Sequence, residues 1–167
     1  MGVHNFLVEG VSGTGKTSVC HELRRRGFHA VNGDVDLAYQ GDPATGLPSD
    51  TASHEHHLWD LRRVHELIAD HGEPLTFLCG GSRNFRSILP LLDGVFVLEI
   101  DRETLEHRLD ARVGDEWGAH PDERALVLLL HRTGEDVPDG IAVDATAPLE
   151  HVVDEIVRRA LAATLTP

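Results

Sequence analysis

The chain has 167 residues, 41% of them hydrophobic, which suits one domain spanning residues 1–167 with a sizeable core. Its formal net charge of −13 argues against binding nucleic acid or an anionic membrane through bulk electrostatics, and no stretch approaches the ~20 apolar residues of a membrane span. Two cysteines, Cys20 and Cys79, are too few and too far apart for a disulfide framework or a zinc module. Reduced thiols and a cytoplasmic setting are expected, because the first residues lack a basic segment followed by a long apolar run.

The first apolar run, Phe6-Leu7-Val8, reads as a strand and leads into Gly10-Val11-Ser12-Gly13-Thr14-Gly15-Lys16-Thr17; Ser18 to Arg24 then reads as a helix. This is a complete G-x-x-x-x-G-K-T loop in its proper strand-to-helix context. Gly10, Gly13 and Gly15 let backbone N–H groups turn toward a bound anion, and the helix starting near Lys16 adds its positive dipole end. Ser12, Thr14 and Ser18 belong to the same cofactor-binding segment. Lys16 can reach the outer phosphates of a nucleotide, while the Thr17 hydroxyl can ligate Mg²⁺ held by those phosphates. Lys16 is the only lysine among 15 lysine and arginine residues, so compositional accident would more readily have placed an arginine there.

Arg24-Arg25-Arg26-Gly27 reads as a cationic helix end with a glycine stop, and Phe28 to Val31 as a short second strand. Asp34 and Asp36 follow. At a strand end on the ligand edge of an open sheet, one carboxylate can hold magnesium through water and the other can accept a proton from an attacking hydroxyl. An acidic turn and helix cap is the plainer reading of the pair. Tyr39 to Ser53 is rich in Gly, Pro, Asp and Thr and is expected to be a loop, part of an acceptor-binding segment over about 34–71. From His54 to His71, apolar residues at Leu58, Leu61, Val64, Leu67 and Ile68 form a helical stripe. His54, His56 and His57 are expected to face solvent or substrate rather than a metal, and Trp59 to pack in the core or to wall a pocket.

Pro74 to Cys79 reads as a buried strand running into Gly80-Gly81-Ser82-Arg83-Asn84-Phe85-Arg86. Paired glycines admit close approach of a ligand, and Arg83 and Arg86, about one helical turn apart, can grip an anion from one side. Gly94 to Ile100 is the next strand and Asp101 to Arg112 the next helix, with Asp101 read as its cap. Arg108 and Arg112 share a face at i, i+4, where one can stack on a base and the other meet phosphate. Val113 to Asp122 breaks the helical period and reads as a short lid that excludes water. A buried helix over Leu126 to Leu130, a last strand at Gly140 to Asp144 and a closing helix striped by Val152, Val153, Ile156, Val157, Ala160 and Leu161 complete the alternation.

The loop and the alternation of strands with helices resemble the small P-loop kinases, the group of adenylate, shikimate and gluconate kinases. The resemblance implies a three-layer α/β/α P-loop NTPase fold with a five-stranded parallel sheet in the order 2-3-1-4-5. Asp34-Val35-Asp36 resembles the DxD of shikimate kinases, which implies that Asp34 assists magnesium and Asp36 contacts the acceptor hydroxyl. Cys79-Gly80-Gly81 resembles the segment replacing a Walker B aspartate there, and Arg83 and Arg86 lie where such kinases place acceptor-gripping arginines. Arg108 and Arg112 match the R-x-x-x-R of monophosphate kinase lids, and Asp144 to Pro148, including Thr146 and Pro148, resembles an adenine-reading loop. The chain departs from shikimate kinases at Ser82, where they have a third glycine. The gluconate kinase acceptor signature is missing around Asp42 to Trp59. Cys79 to Arg86 together with Asp115-Glu116-Trp117-Gly118 resembles a bacterial subgroup of nucleoside- or nucleotide-kinase-like proteins.

The expectation is an ATP- and Mg²⁺-dependent phosphotransferase acting on a small metabolite, as a monomer or weak dimer. Lys16 and Arg112 would neutralise the transferred group, and Asp34 or Asp36 would orient the acceptor hydroxyl. A nucleoside or sugar-like alcohol is favoured over a nucleoside monophosphate, for which Arg83 and Arg86 would matter more than Asp36. The same motifs would also serve a regulatory NTPase or an antibiotic phosphotransferase.

Overall fold

A computed structural model describes residues 2–51, 53–114 and 116–165. In chain order its elements are β1 (Gly2–Glu9), α1 (Lys16–Arg25), β2 (His29–Asn32), α2 (Gly33–Asp36), β3 (Ala38–Gln40), β4 (His57–Trp59), α3 (Leu61–Ala69), β5 (Glu73–Cys79), β6 (Gly94–Glu99), α4 (Arg102–Asp110), α5 (Pro121–Thr133), β7 (Ile141–Asp144) and α6 (Leu149–Thr164). Five strands form a parallel sheet in the order β2-β5-β1-β6-β7, which is 2-3-1-4-5 when the strands of that sheet alone are counted. The expected order therefore holds.

β1 is central, paired with β5 at Phe6↔Phe77 and Val8↔Cys79 and with β6 at Phe6↔Gly94. Its side chains alternate between two cores because successive residues of a strand point to opposite faces. Phe6 and Val8 join one core with Phe77, Phe96 and residues of α1, α4, α5 and α6, while Leu7 joins the other with Val31, Leu78 and Val64 of α3. Coverage of both faces explains why β1 and β5 read as continuous apolar runs rather than as alternating ones. After β2 the chain returns to β5, and after β5 it crosses over β1 to β6. The carboxyl ends of β1 and β5 thus flank a switch point, where open α/β sheets hold ligands.

Two sequence expectations need correction. The segment after Asp36 is not wholly a loop: Ala38–Gln40 pairs antiparallel with His57–Trp59, with Tyr39 opposite Leu58. Strands of three residues are too short to show a period. The helix expected from His54 begins only at Leu61, because Asp60 accepts hydrogen bonds from the N–H groups of Arg62 and Arg63 and caps it there. Leu58 and Trp59 are consequently strand residues. Trp59 is fully buried in the second core, where a Cβ at Gly33 would lie 2.0 Å from its indole, so of its two readings the core one holds. Asp101 accepts from the N–H of Thr104 at 2.7 Å and caps α4 as expected. Among the described residues no helix is long and apolar enough to cross a membrane.

Candidate functional site: two clefts with a common wall

Two cavities of about 510 Å³ each open beside the carboxyl ends of β1 and β5. The first follows residues 12–19 of the glycine-rich segment and continues to Asp34, Arg108, Arg112, Ala145, Ala147, Leu149 and Val152. Gly15 holds φ at 105°, a left-handed backbone that a side chain would strain, and from there α1 starts with its first N–H groups free of side-chain caps. These N–H groups with the helix dipole make an anion site. Thr14 is buried and turns its hydroxyl to the carbonyl of Val11 at 2.9 Å, a brace for the loop. Thr17 and Ser18 are exposed to the cleft. Lys16 Nζ folds back onto the carbonyls of Gly10 and Val11, tethers that phosphate oxygens would replace.

Arg108 and Arg112 both reach this cleft from the end of α4. Arg108 donates to the carbonyls of Gly13 at 3.2 Å, Thr14 at 3.0 Å and Ala145 at 2.7 Å, which ties the glycine-rich loop to the loop after β7. Arg112 donates to Ser12 Oγ at 3.0 Å and to the carbonyl of Trp117. Burial pulls the Arg112 guanidinium below its ordinary value, against the charges of Glu116 and Glu123. In the loop after β7, Ala145, Ala147 and Leu149 line the cleft. Thr146 instead turns its hydroxyl to Asp144, and Pro148 precedes α6 without facing the cavity.

The second cleft is built from separate elements. Glu9 and Gly10 end β1, Asp34 lies in α2, Gln40 in β3 and His57 in β4, and Gly81 and Arg83 follow β5. Ser53, His54, Trp117, Asp136 and the apolar Val127, Leu130 and Val137 enclose the rest. Ser12, Lys16 and Asp34 line both cavities. Asp34 Oδ1 accepts from the Gly81 N–H at 3.1 Å and faces His57 Nε2 at 3.3 Å. Burial would raise Asp34, but the His57 hydrogen bond and the charge of Lys16 outweigh it and hold the carboxyl below the usual range. A Cβ at Gly80 would lie 2.7 Å from Asp34 Oδ1, so the glycine pair is what allows this carboxylate to approach the backbone.

Asp36 is elsewhere. It receives Arg24 at 3.3 Å and the N–H of Asn32 at 3.2 Å, and it lines neither cavity. The expectation that both carboxylates serve one site at the strand end needs extended geometry, whereas residues 33–36 form a helical turn, on which i and i+2 do not share a face. Arg83 and Arg86 part as well. The expected helix is absent: a short 3₁₀ turn starts only at Phe85, so Arg83 lies in the loop before it while Arg86 lies within it, and they share no helical face. Arg83 pairs with Asp136 inside the cleft, while exposed Arg86 lies over the ring of Phe85 at 5.9 Å from its centroid. Gly80 underlies Asp34 without lining either cavity.

The segment expected to form a lid reaches the second cleft through Trp117, whose ring stacks on that of His54 at 5.8 Å. His54 Nε2 in turn meets Asp136 at 2.6 Å, so Asp136 takes both His54 and Arg83. Asp115 of the lid lies outside the described residues. Sequence reasoning missed Glu9, Gln40, Ser53, Glu123 and Asp136. Glu9 carries a signal: it is a charged residue closing an apolar strand, immediately before the first glycine of the loop. Asp136 carries none, because its partners are 53 and 82 residues away in the chain.

No model of a known protein family matches this sequence, and no curated protein matches it. Solved structures do match over nearly the whole chain. A shikimate kinase from Bacteroides thetaiotaomicron is 13% identical with a TM-score of 0.60, covering 93% of this chain and 97% of its own. A gluconokinase from Sinorhizobium meliloti is 24% identical with a TM-score of 0.54, covering 96% and 90%. A deoxyadenosine kinase from M. mycoides, solved with bound dATP, is 11% identical with a TM-score of 0.57, covering 93% and 98%. The chain has the fold of the small P-loop kinases.

Proposed function

We propose that the protein transfers the γ-phosphoryl group of ATP to a hydroxyl of a small molecule, a nucleoside or sugar-like alcohol. One observation carries the reading: Ser12, Lys16 and Asp34 line both cavities, so a phosphoryl group held by the glycine-rich loop faces whatever fills the second cleft. ATP takes the first cleft with its phosphates on the N–H groups of residues 13–18, its base lies toward Arg108 and Ala145–Ala147, and Arg112 meets the phosphates. Thr17 and Asp34 present oxygen atoms to the same cleft, the donor type Mg²⁺ takes, and are the residues that would hold it beside the phosphates. There the ion would offset phosphate charge.

The acceptor oxygen attacks the γ-phosphorus in line, the bond to the bridging oxygen of ADP breaks, and ADP leaves. Asp34 is ionised at neutral pH and fixed by Gly81 and His57 through Oδ1, which leaves Oδ2 for the acceptor hydroxyl and its departing proton. Lys16 and Arg112 balance charge on the phosphoryl oxygens, and the Trp117 lid limits hydrolysis by keeping water out. Asp36 and Arg86, turned away from both cavities, take no part. The test is ADP release from MgATP across nucleosides, sugars, sugar acids, nucleoside monophosphates and aminoglycoside-type alcohols, with Lys16→Ala as the blank. Release stimulated by one chemical class supports the reading; ATP binding with no stimulation by any class counts against it.

A further inference from the structure

The floor of the second cleft holds a group that the phosphoryl transfer does not use. Glu9 is only 3% exposed, at the end of β1 and on the lining of the cleft. Its Oε1 accepts from the Gly10 N–H at 3.0 Å, whereas Oε2 is buried with no hydrogen-bond partner among the described residues. A buried carboxyl oxygen left unpaired costs free energy unless a ligand supplies the partner. The turn after β5 packs close against the carboxyl: a Cβ at Gly81 would lie 2.7 Å from Oε1 and 3.1 Å from Oε2, so only glycine fits beside it where it lines the cleft. The same glycine donates its N–H to Asp34, which places the two carboxyl groups on either side of one residue.

The charge in the cleft points the same way. Besides Glu9, three carboxylates, Asp34, Glu123 and Asp136, line it against two permanent cations, Lys16 and Arg83. Arg83 is held by Asp136, which also takes His54, and Lys16 faces the loop that holds phosphates. His57 faces Asp34, and Glu123 receives the N–H of Gly118 at 2.8 Å. An anionic acceptor would therefore meet carboxylates with no cation among the described lining residues free to receive it, an unfavourable meeting of like charges.

On the phosphotransferase reading, we propose that the acceptor is an uncharged molecule with at least two hydroxyl groups, one presented to Asp34 and a second hydrogen-bonded to Glu9, and that the cleft rejects anionic relatives of that molecule. Burial, against the pull of Lys16, pushes the Glu9 carboxyl up to about 8, so near neutral pH it can both donate to and accept from a hydroxyl. Val127, Leu130 and Val137 supply an apolar wall for the rest of the acceptor.

The experiment is calorimetric titration with nucleosides and hexoses beside nucleoside monophosphates and aldonic acids. Wild type, Glu9→Gln and Glu9→Met are each saturated with Mg²⁺ and a non-hydrolysable ATP analogue, whose binding in the first cleft shows that each variant is folded. An uncharged compound is expected to bind wild type about tenfold or more tightly than its anionic counterpart. The same compound is expected to bind Glu9→Met about tenfold or more weakly, the loss of one buried hydrogen bond, and to keep most of its affinity in Glu9→Gln. Equal or tighter binding of the anionic member, unchanged affinity in Glu9→Met, or no binding by any member overturns the proposal. Binding that follows the expected pattern without ADP release overturns phosphoryl transfer and leaves the Glu9 contact standing.

Discussion

The two clefts share a wall yet are built on opposite plans. The first is made largely of one contiguous segment, residues 12–19, at the uncapped start of α1, and two arginines at i, i+4 close it. The second is made of side chains, delivered by β1, α2, β3, β4, the turn after β5, the lid and the loop after α5. Backbone donors serve any bound phosphate, because every nucleotide offers the same oxygens. Converging side chains choose among acceptors, and they can be exchanged one at a time without disturbing the cradle.

The largest expected effect breaks the first plan. Lys16→Ala removes the one cation of the glycine-rich loop that reaches both cavities, and kcat is expected to fall by about 10²–10³-fold or more, with thermal melting unchanged. Near-normal turnover of a folded Lys16→Ala protein would remove the shared-wall mechanism. Asp34→Asn tests the wall from the second side. On the proposed function its carboxylate orients the hydroxyl and accepts its proton, so about a 10²-fold loss in kcat is expected while affinity for ATP analogues without metal is kept. Asp36→Asn is the matched comparison. It weakens a half-exposed surface pair with Arg24 and the charge on a hydrogen bond from the Asn32 N–H, away from both cavities, and is expected to leave turnover within about twofold.

A smaller effect separates the clefts by pH. Glu9 has a raised value in the folded protein, about 8 against an ordinary 4.5, so the folded state binds the proton more tightly than the unfolded chain. Its contribution is fully present below about pH 4.5 and is lost as pH rises toward 8. Relative to Glu9→Gln, which does not titrate, the wild-type unfolding free energy is expected to fall by about 1.4 kcal/mol per pH unit within that window. Urea melts of the two proteins at three pH values measure this. A flat difference would place the Glu9 carboxylate in contact with water or with Lys16.

How far the sequence speaks follows the same division. The main-sheet strands, the glycine-rich loop and the Arg108–Arg112 spacing are legible because each depends on neighbours within a few residues, whereas the strand order comes from the resemblance to small P-loop kinases. The pairing of Ala38–Gln40 with His57–Trp59 is not legible, since three-residue strands show no period and their contact spans an irregular segment. Asp34 and Asp36 illustrate a finer limit. Their spacing is visible, but whether they share a face depends on one helical turn, and the turn sends them to different partners. Arg83 and Arg86 part for the related reason that their spacing aligns them only within one helical element, and the short 3₁₀ turn that carries Arg86 begins after Arg83. Glu9 reads first as the end of a strand, although a carboxylate closing an apolar run asks where its hydrogen bonds go.

Asp101 supplies the smallest effect and the control for all the others. It stands at the end of a hydrophobic strand, where a metal-holding aspartate would also stand, yet it accepts from the Thr104 N–H at 2.7 Å and from the Thr104 hydroxyl at 3.1 Å and lines neither cavity. These bonds hold its carboxyl below the usual range. As an N-cap it contributes to the start of α4, the helix that carries Arg108 near its far end with Arg112 just beyond it, and not to any charge felt by phosphates. Asp101→Ala is therefore expected to cost about 1 kcal/mol of stability, read by urea denaturation, with kcat and the Mg²⁺ dependence of turnover unchanged. Asp101→Ser, which restores the cap without the charge, should recover most of that loss. A shifted Mg²⁺ requirement in either variant would move the metal to the far side of β1 from Asp34, and with it the wall on which the two clefts are held to meet.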